Sequence, residues 1–219
     1  MSLRTFLRRY LDPADRLGEV LFGLIMALGF TGAVRLGQDE ADNYALLIGI
    51  AGCNLAWAIV DGVMYVLAAL FERGRTARVI RDVLQAPSEQ AALQRLDQEI
   101  EGPLLSLTTA DERRQLARSA LVLARRASVD RPRVHAEDLL GGVAVALIIV
   151  LATLPVVIPF LLVPDPNLAV RVSNTVALVE LFLLGAWWGR EIGGSPLRIA
   201  SGLTLVGVVL VLITIALGG

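Results

Sequence analysis

The chain has 219 residues, of which 55% are hydrophobic, and a mean hydropathy of +0.65. Charged residues make up 19% and the formal net charge is −1. This excludes an ordinary soluble domain and leaves no global basic field that would suggest nucleic acid. Every one of the 20 basic residues is Arg, and Cys53 is the only cysteine, so neither an intrachain disulfide nor a Cys-based metal cluster can form.

The N-terminal stretch "LRTFLRRYL", residues 3–11, puts Leu3, Phe6, Leu7, Tyr10 and Leu11 on one helical face and Arg4, Arg8 and Arg9 off it. That pattern predicts a short interfacial helix on the inner leaflet. Asp12 and Pro13 then read as an N-cap followed by a first-turn proline.

Five apolar runs follow: residues 17–34, 44–71, 139–163, 172–188 and 199–217. About 20 apolar residues cross a ~30 Å hydrocarbon core as a helix, the one open structure that satisfies its own backbone there. The expected fold is therefore an all-α membrane protein of five transmembrane helices, with a small cytoplasmic helical segment between helices 2 and 3. Its parts are a cytoplasmic tail (1–16), helices 1–2 (17–71), the cytoplasmic segment (72–137) and helices 3–5 (138–219). The second run is longer than a span needs, which predicts tilt or continuation beyond the bilayer. Gly29, Gly32, Gly141, Gly142, Gly202 and Gly207 allow close helix approach, while Pro155 and Pro159 should kink the third span.

Arg distribution sets the orientation. Arg4, Arg8, Arg9 and Arg16 precede the first span, Arg73 to Arg133 punctuate the segment between spans two and three, and Arg190 and Arg198 follow span four. The remaining loops, "RLGQDEADN" and "PDPN", are acidic or short. This places the N-terminus in the cytoplasm and the C-terminus outside. The long charged tail, with no small-x-small cleavage site ahead of a soluble domain, argues against a cleaved signal peptide.

Within the cytoplasmic segment, "TARVIRDVLQA", "SEQAALQRLDQEIEG" and "TTADERRQLARSALVLARRAS" read as three amphipathic helices. Ser88 and a Thr or Asp near 109 are the expected caps, with breaks at Pro87, Gly102–Pro103 and Pro132. Pairing along solvated helices accounts for most of its charges. His135, Glu137 and Asp138 form a polar collar at the membrane boundary, a group that could also touch a metal ion.

Polar groups inside the spans carry the functional signal. Asp61 lies about ten residues from the inner end of span two, ~15 Å deep at 1.5 Å per residue. An ionised carboxylate there costs at least ~2.5–3.5 kcal/mol on insertion scales, so an intramembrane acid needs a reason. Asn54, Trp57, Asp61, Met64 and Tyr65 share a stripe at spacings of three and four, and Glu19 and Met26 share a face of span one. Glu180 falls near the middle of span four, with Asn174 and Thr175 nearby. The candidate ion pathway is Asp61, Asn54, Met64, Glu19, Met26 and Glu180, with Asp61 and Glu19 as metal ligands. The structural alternative is a protonated Asp61 hydrogen-bonded to an Asn54 on a partner helix, with Glu19 snorkelling and the methionines filling the core. No Gly-rich phosphate loop, nucleophile elbow or His-rich motif is present, so enzymatic function is not expected.

Two stretches, "RLGEVLFGLIMALGFTGAV" and "VELFLLGAWWGREIGGSPLRIASGLTLVGVVLVLITIALGG", resemble the first and the last two spans of the vacuolar iron transporter family. The topology and the placing of the cytoplasmic segment resemble it as well, over roughly residues 13–72 and 138–219. The resemblance, which looks like a bacterial side branch in "FGLIMALGFTGAV" and "GCNLAWAIVDGVMY", implies a homodimer in a bacterial inner (plasma) membrane. Such a dimer carries iron(II), or manganese(II), out of the cytoplasm in exchange for protons, along a carboxylate- and Met-lined path at the dimer interface. The sequence departs from the family where the span-one "DG" aspartate falls near Met26, and where the span-two "SMG.GEYL" pattern gives way to Asp61, Gly62 and Met64. Glu19 and Asp61 stand in for those acids in this reading, with membrane lipids, a second copy and a divalent ion as partners and no tightly bound cofactor. The alternative is a non-transporting scaffold whose Arg-rich cytoplasmic helices bind a partner or anionic lipid.

Overall fold

The computed structural model describes residues 3–37, 43–99, 108–127, 129 and 131–216. The acidic 38–42 loop, Glu101, the Gly102–Pro103 break and residue 217 lie outside the described residues. Every regular element described is an α-helix: α1 (Leu3–Tyr10), α2 (Pro13–Gly37), α3 (Asn43–Leu84), α4 (Glu89–Glu99), α5 (Ala110–Arg126), α6 (Ala136–Leu162), α7 (Pro166–Glu191) and α8 (Pro196–Ala216). Of these, α3, α6 and α7 are long and apolar enough to cross a membrane, and α8 offers a shorter apolar stretch, Pro196–Val209. The first two turns of α2 hold Asp15, Arg16 and Glu19, so its apolar run begins later than the helix does.

Short polar residues start the helices by taking up amides that have no partner inside the helix. Asp12 caps α2, its Oδ1 accepting from the Asp15 amide at 2.9 Å. Ser88 Oγ accepts from Ala91 N at 3.2 Å at the head of α4. Thr109 heads α5 in a reciprocal capping box with Glu112. Asp165 caps α7, whose first residue is Pro166. The other end of α7 closes in a Schellman turn: Gly193 takes φ +68, Gly194 N donates to Gly189 O at 2.8 Å and Gly193 N to Arg190 O at 3.2 Å.

The chain divides into two compact units, Met1–Tyr65 with Ala136–Gly219, and Val66–His135. α3 contributes its first half to one and its second half to the other, so "TARVIRDVLQA" continues the long helix instead of starting a new one.

In the first unit, Leu24, Leu28, Leu46, Ile50, Val156, Phe160, Val170 and Leu181 pack together from α2, α3, α6 and α7. The buried stripe of α3 recurs every four residues: Leu46, Ile50, Asn54, Ala58 and Gly62. Small residues set the closest crossings. A Cβ on Gly62 would fall 2.7 Å from Gly142 O, and one on Gly185 would fall 2.7 Å from Ala200 Cα, so α3–α6 and α7–α8 meet backbone to backbone. α6 stays one helix through Pro155 and Pro159, which remove two amide donors from it. The buried Ser173 on α7 donates from Oγ into the same stretch, to Val156 O at 2.7 Å. A second polar link joins Thr31 Oγ1 on α2 to Asn174 Oδ1 on α7 at 2.6 Å.

α1 spends its apolar face on protein. Phe6, Leu7 and Tyr10 pack with buried Leu11 against Ala144, Val145 and Ile149 of α6. Arg9 pairs with Glu137 at 3.4 Å. The Leu3, Arg4 and Arg8 side chains are outside the described set. Asp138, from the collar read in the sequence, is buried.

Outward-facing positions are strongly apolar: Leu55, Ile59, Val63, Leu67 and Phe71 on α3, Leu154, Ile158 and Leu161 on α6, and Val179 and Leu183 on α7 are all exposed. Soluble monomers rarely expose contiguous apolar surface beyond a few hundred Å². These helices have the surface that a bilayer requires.

The second unit has its own small core of Val83 from α3, Ala92 and Leu96 from α4, and Ala117 and Leu121 from α5. Its ion pairs Arg75–Glu99, Arg113–Asp97 and Arg125–Glu89, at 3.2–3.4 Å, run between helices, whereas Arg114–Asp111 runs along α5. Tertiary packing, beyond pairing along one helix, therefore uses the charges that the sequence assigns to solvated faces.

Candidate functional site

The α2 and α3 helices meet in antiparallel register, and that register builds the site. Phe30 fills the space over Gly49, so any side chain at 49 would collide with its ring. Further along, Phe22 and Trp57 meet edge to face, with centroids 5.8 Å apart and planes at 75°. Gly23 lies at the level of Asn54: a Cβ there would be 3.8 Å from Asn54 Oδ1 and 3.4 Å from Ile149 Cγ2. One turn before Gly23 on α2 comes Glu19, within electrostatic reach of Asp61, which is about two turns beyond Asn54 on α3. The structure thus brings together two carboxyls that lie 42 residues apart in sequence. Asp15, one turn before Glu19, adds a third carboxyl within reach of Glu19. Arg16 is turned elsewhere, its Nε donating to Asp12 O at 3.3 Å and its guanidinium lying 6.0 Å from the Trp187 ring centre.

The stripe read on α3 separates into two environments. Asn54 is buried, and its Nδ2 donates to Ile50 O at 3.0 Å. Its Oδ1 is buried without a hydrogen-bond partner among the described residues. Asp61 is half-buried, flanking the Gly62–Gly142 crossing. Trp57 and Met64, at 44% and 57% exposure, face outward. Met64 therefore does not line an interior path of a single chain; it sits on the outer surface one turn from Asp61. Tyr65 turns inward, its ring over Gly141 and its hydroxyl donating to Tyr10 O at 3.1 Å.

Met26 is half-buried on α2, two turns from Glu19. Glu180 lies on α7, half-buried, with one carboxyl oxygen lacking a hydrogen-bond partner among the described residues. Among the described residues no three His, Cys, Asp or Glu side chains converge closely enough to hold a metal ion. Helix spacing puts Asn54 and Asp61 on one stripe of α3 but does not give the α2–α3 register, for which the signal is the small residues Gly23 and Gly49 opposite polar or large ones.

A search of the chain against protein-family models and against curated proteins returns no match.

Proposed function

We propose that the chain is an integral membrane carrier of a divalent metal cation, iron(II) or manganese(II), with Glu19 and Asp61 as the carboxylates that receive the ion. The observation that carries this reading is the approach of those two acids from different helices, at the end of an α2–α3 packing whose inner part is apolar apart from Asn54. Two like charges in low-dielectric surroundings favour the arrival of a cation between them. Carboxylate oxygens suit hard and borderline divalent ions, which take about six ligands, so water or a second copy completes the shell. Met64, outward and one turn from Asp61, puts its thioether on the exposed face of α3, the face that a second copy would cover in a homodimer.

In this reading five helices span the bilayer, α2, α3, α6, α7 and α8. The Arg-rich ends and the 66–135 unit lie in the cytoplasm, and the ion leaves the cytoplasm in exchange for protons. In this orientation Glu19 lies in the first, cytoplasmic third of α2, where it gathers ions entering from that side and passes them to Asp61, deeper in the membrane. The test is flux of iron(II) and manganese(II) in proteoliposomes, with and without a pH gradient, for the wild type, Asp61→Asn and Glu19→Gln. Gradient-dependent flux that either substitution abolishes is the expected result. Absence of flux for both ions in a folded wild-type protein overturns the reading.

A further inference from the structure

The Val66–His135 unit holds a cavity of about 1020 Å³ that the ion-carrying reading does not use. One wall is α3, with Glu72, Arg73 and Thr76; the other is the non-helical strap before α6, with Arg131, Arg133 and His135. Two contacts hold the strap in place. Arg73 Nη1 donates to Arg133 O at 3.2 Å, and Pro132 packs 3.8 Å from where a Gly74 Cβ would stand. Arg131, Pro132, Arg133 and His135 all line the cavity. The lining thus carries three guanidiniums against one carboxylate, Glu72. The Arg131 and Arg133 side chains have no ion-pair partner among the described residues.

We propose that this cavity binds a phosphate group, supplied by the headgroup of an anionic phospholipid. Guanidinium forks match phosphate oxygens two at a time, and the Thr76 hydroxyl offers a further donor. Position argues for a lipid source. Arg73 follows the outward-facing Phe71 by two residues, a rise of ~3 Å along a helix. The basic wall therefore begins where the apolar surface of α3 ends, at headgroup level. Juxtamembrane Arg clusters of this kind attract anionic lipid.

The test is native mass spectrometry of the full-length protein in neutral detergent, with dioctanoyl phosphatidylglycerol, dioctanoyl phosphatidylcholine and inorganic phosphate as probes. One phosphatidylglycerol should bind per chain at least tenfold more tightly than phosphatidylcholine. Arg131→Gln with Arg133→Gln should abolish that preference, and Arg118→Gln with Arg126→Gln, elsewhere in the same unit, should keep it. Phosphate binding that displaces phosphatidylglycerol and is lost in the same double variant supports the phosphate site and assigns it to a soluble anion. Equal binding of both lipids without phosphate binding overturns the proposal. So does a preference that survives in an Arg131/Arg133 double variant with wild-type circular dichroism and melting temperature.

Discussion

The Tyr65 ring occupies the space that a side chain on Gly141 would need, and its hydroxyl donates to Tyr10 O at 3.1 Å. One aromatic residue of α3 thereby locks onto α6 and onto the end of α1. Gly141→Ala forces the ring to move, and overpacking of this kind costs about 1–3 kcal/mol. Tyr65→Phe keeps the ring and removes one hydrogen bond, a loss of about 0.5–1.5 kcal/mol. Melting of the purified protein in detergent should rank wild type above Tyr65→Phe, and Tyr65→Phe above Gly141→Ala. The reverse order would mean that the ring swings clear without loss.

Two further glycines make an internal comparison. A Cβ on Gly62 meets the Gly142 carbonyl at 2.7 Å, and a backbone atom cannot rotate out of the way. A Cβ on Gly202 meets nothing within 4 Å. Gly62→Ala should therefore lower the melting temperature by spreading α3 from α6. Gly202→Ala should be neutral or stabilising by up to about 1 kcal/mol, because Ala favours the helix and restricts the unfolded chain. Equal effects at both positions would contradict the close crossing.

Much of this architecture is legible in the sequence because it rests on local chemistry. Asp12, Ser88 and Thr109 cap the helices they precede, and Pro155 and Pro159 lie inside an apolar helix long enough to hold them. What periodicity cannot give is which part of a stripe faces protein. Asn54 and Met64 lie on one stripe by spacing, yet Asn54 is buried against α2 and α6 while Met64 is 57% exposed. The difference comes from the α2–α3 register, a tertiary property fixed by where Gly23, Gly49 and Gly62 admit a neighbour. The 131–135 strap is hidden for a related reason. Its arginines look like ordinary boundary charges until Arg73 and Gly74 place it beside α3.

The capping box of α5 gives a pH dependence outside the apolar helices. The Glu112 carboxylate accepts from Thr109 N at 2.7 Å and from Thr109 Oγ1 at 2.8 Å. These bonds hold its pKa below the ordinary 4.5. The folded state therefore prefers the ionised acid. Its contribution is complete above the unfolded value and disappears as pH falls through the lowered folded one. Thr109→Ala, which removes the cap hydroxyl, should cost about 1 kcal/mol. Hydrogen exchange of the α5 amides should be faster in Glu112→Gln than in wild type at pH 7, and the ratio should approach one well below pH 4.5. A ratio that stays constant with pH would remove the carboxylate from the account.

Glu19 and Asp61 make the sharpest prediction because they act together or not at all. If both receive one ion, removing either destroys the same site, and removing both does little more. Flux through Asp61→Asn, Glu19→Gln and the double variant should therefore be low and nearly equal, the effects far from additive. Independent roles, such as Asp61 packing and Glu19 attracting ions at the surface, predict multiplying losses instead. Glu180→Gln serves as the contrast: Glu180 stands on α7 and is not among the carboxyls acting on Glu19, so its effect should multiply with that of Asp61→Asn. Melting temperatures close to wild type in all of these variants, the Asp61/Glu180 double included, would confine the differences to transport. A double variant that loses the product of the two single losses would show that the carboxyls, though within reach of each other, do not share an ion.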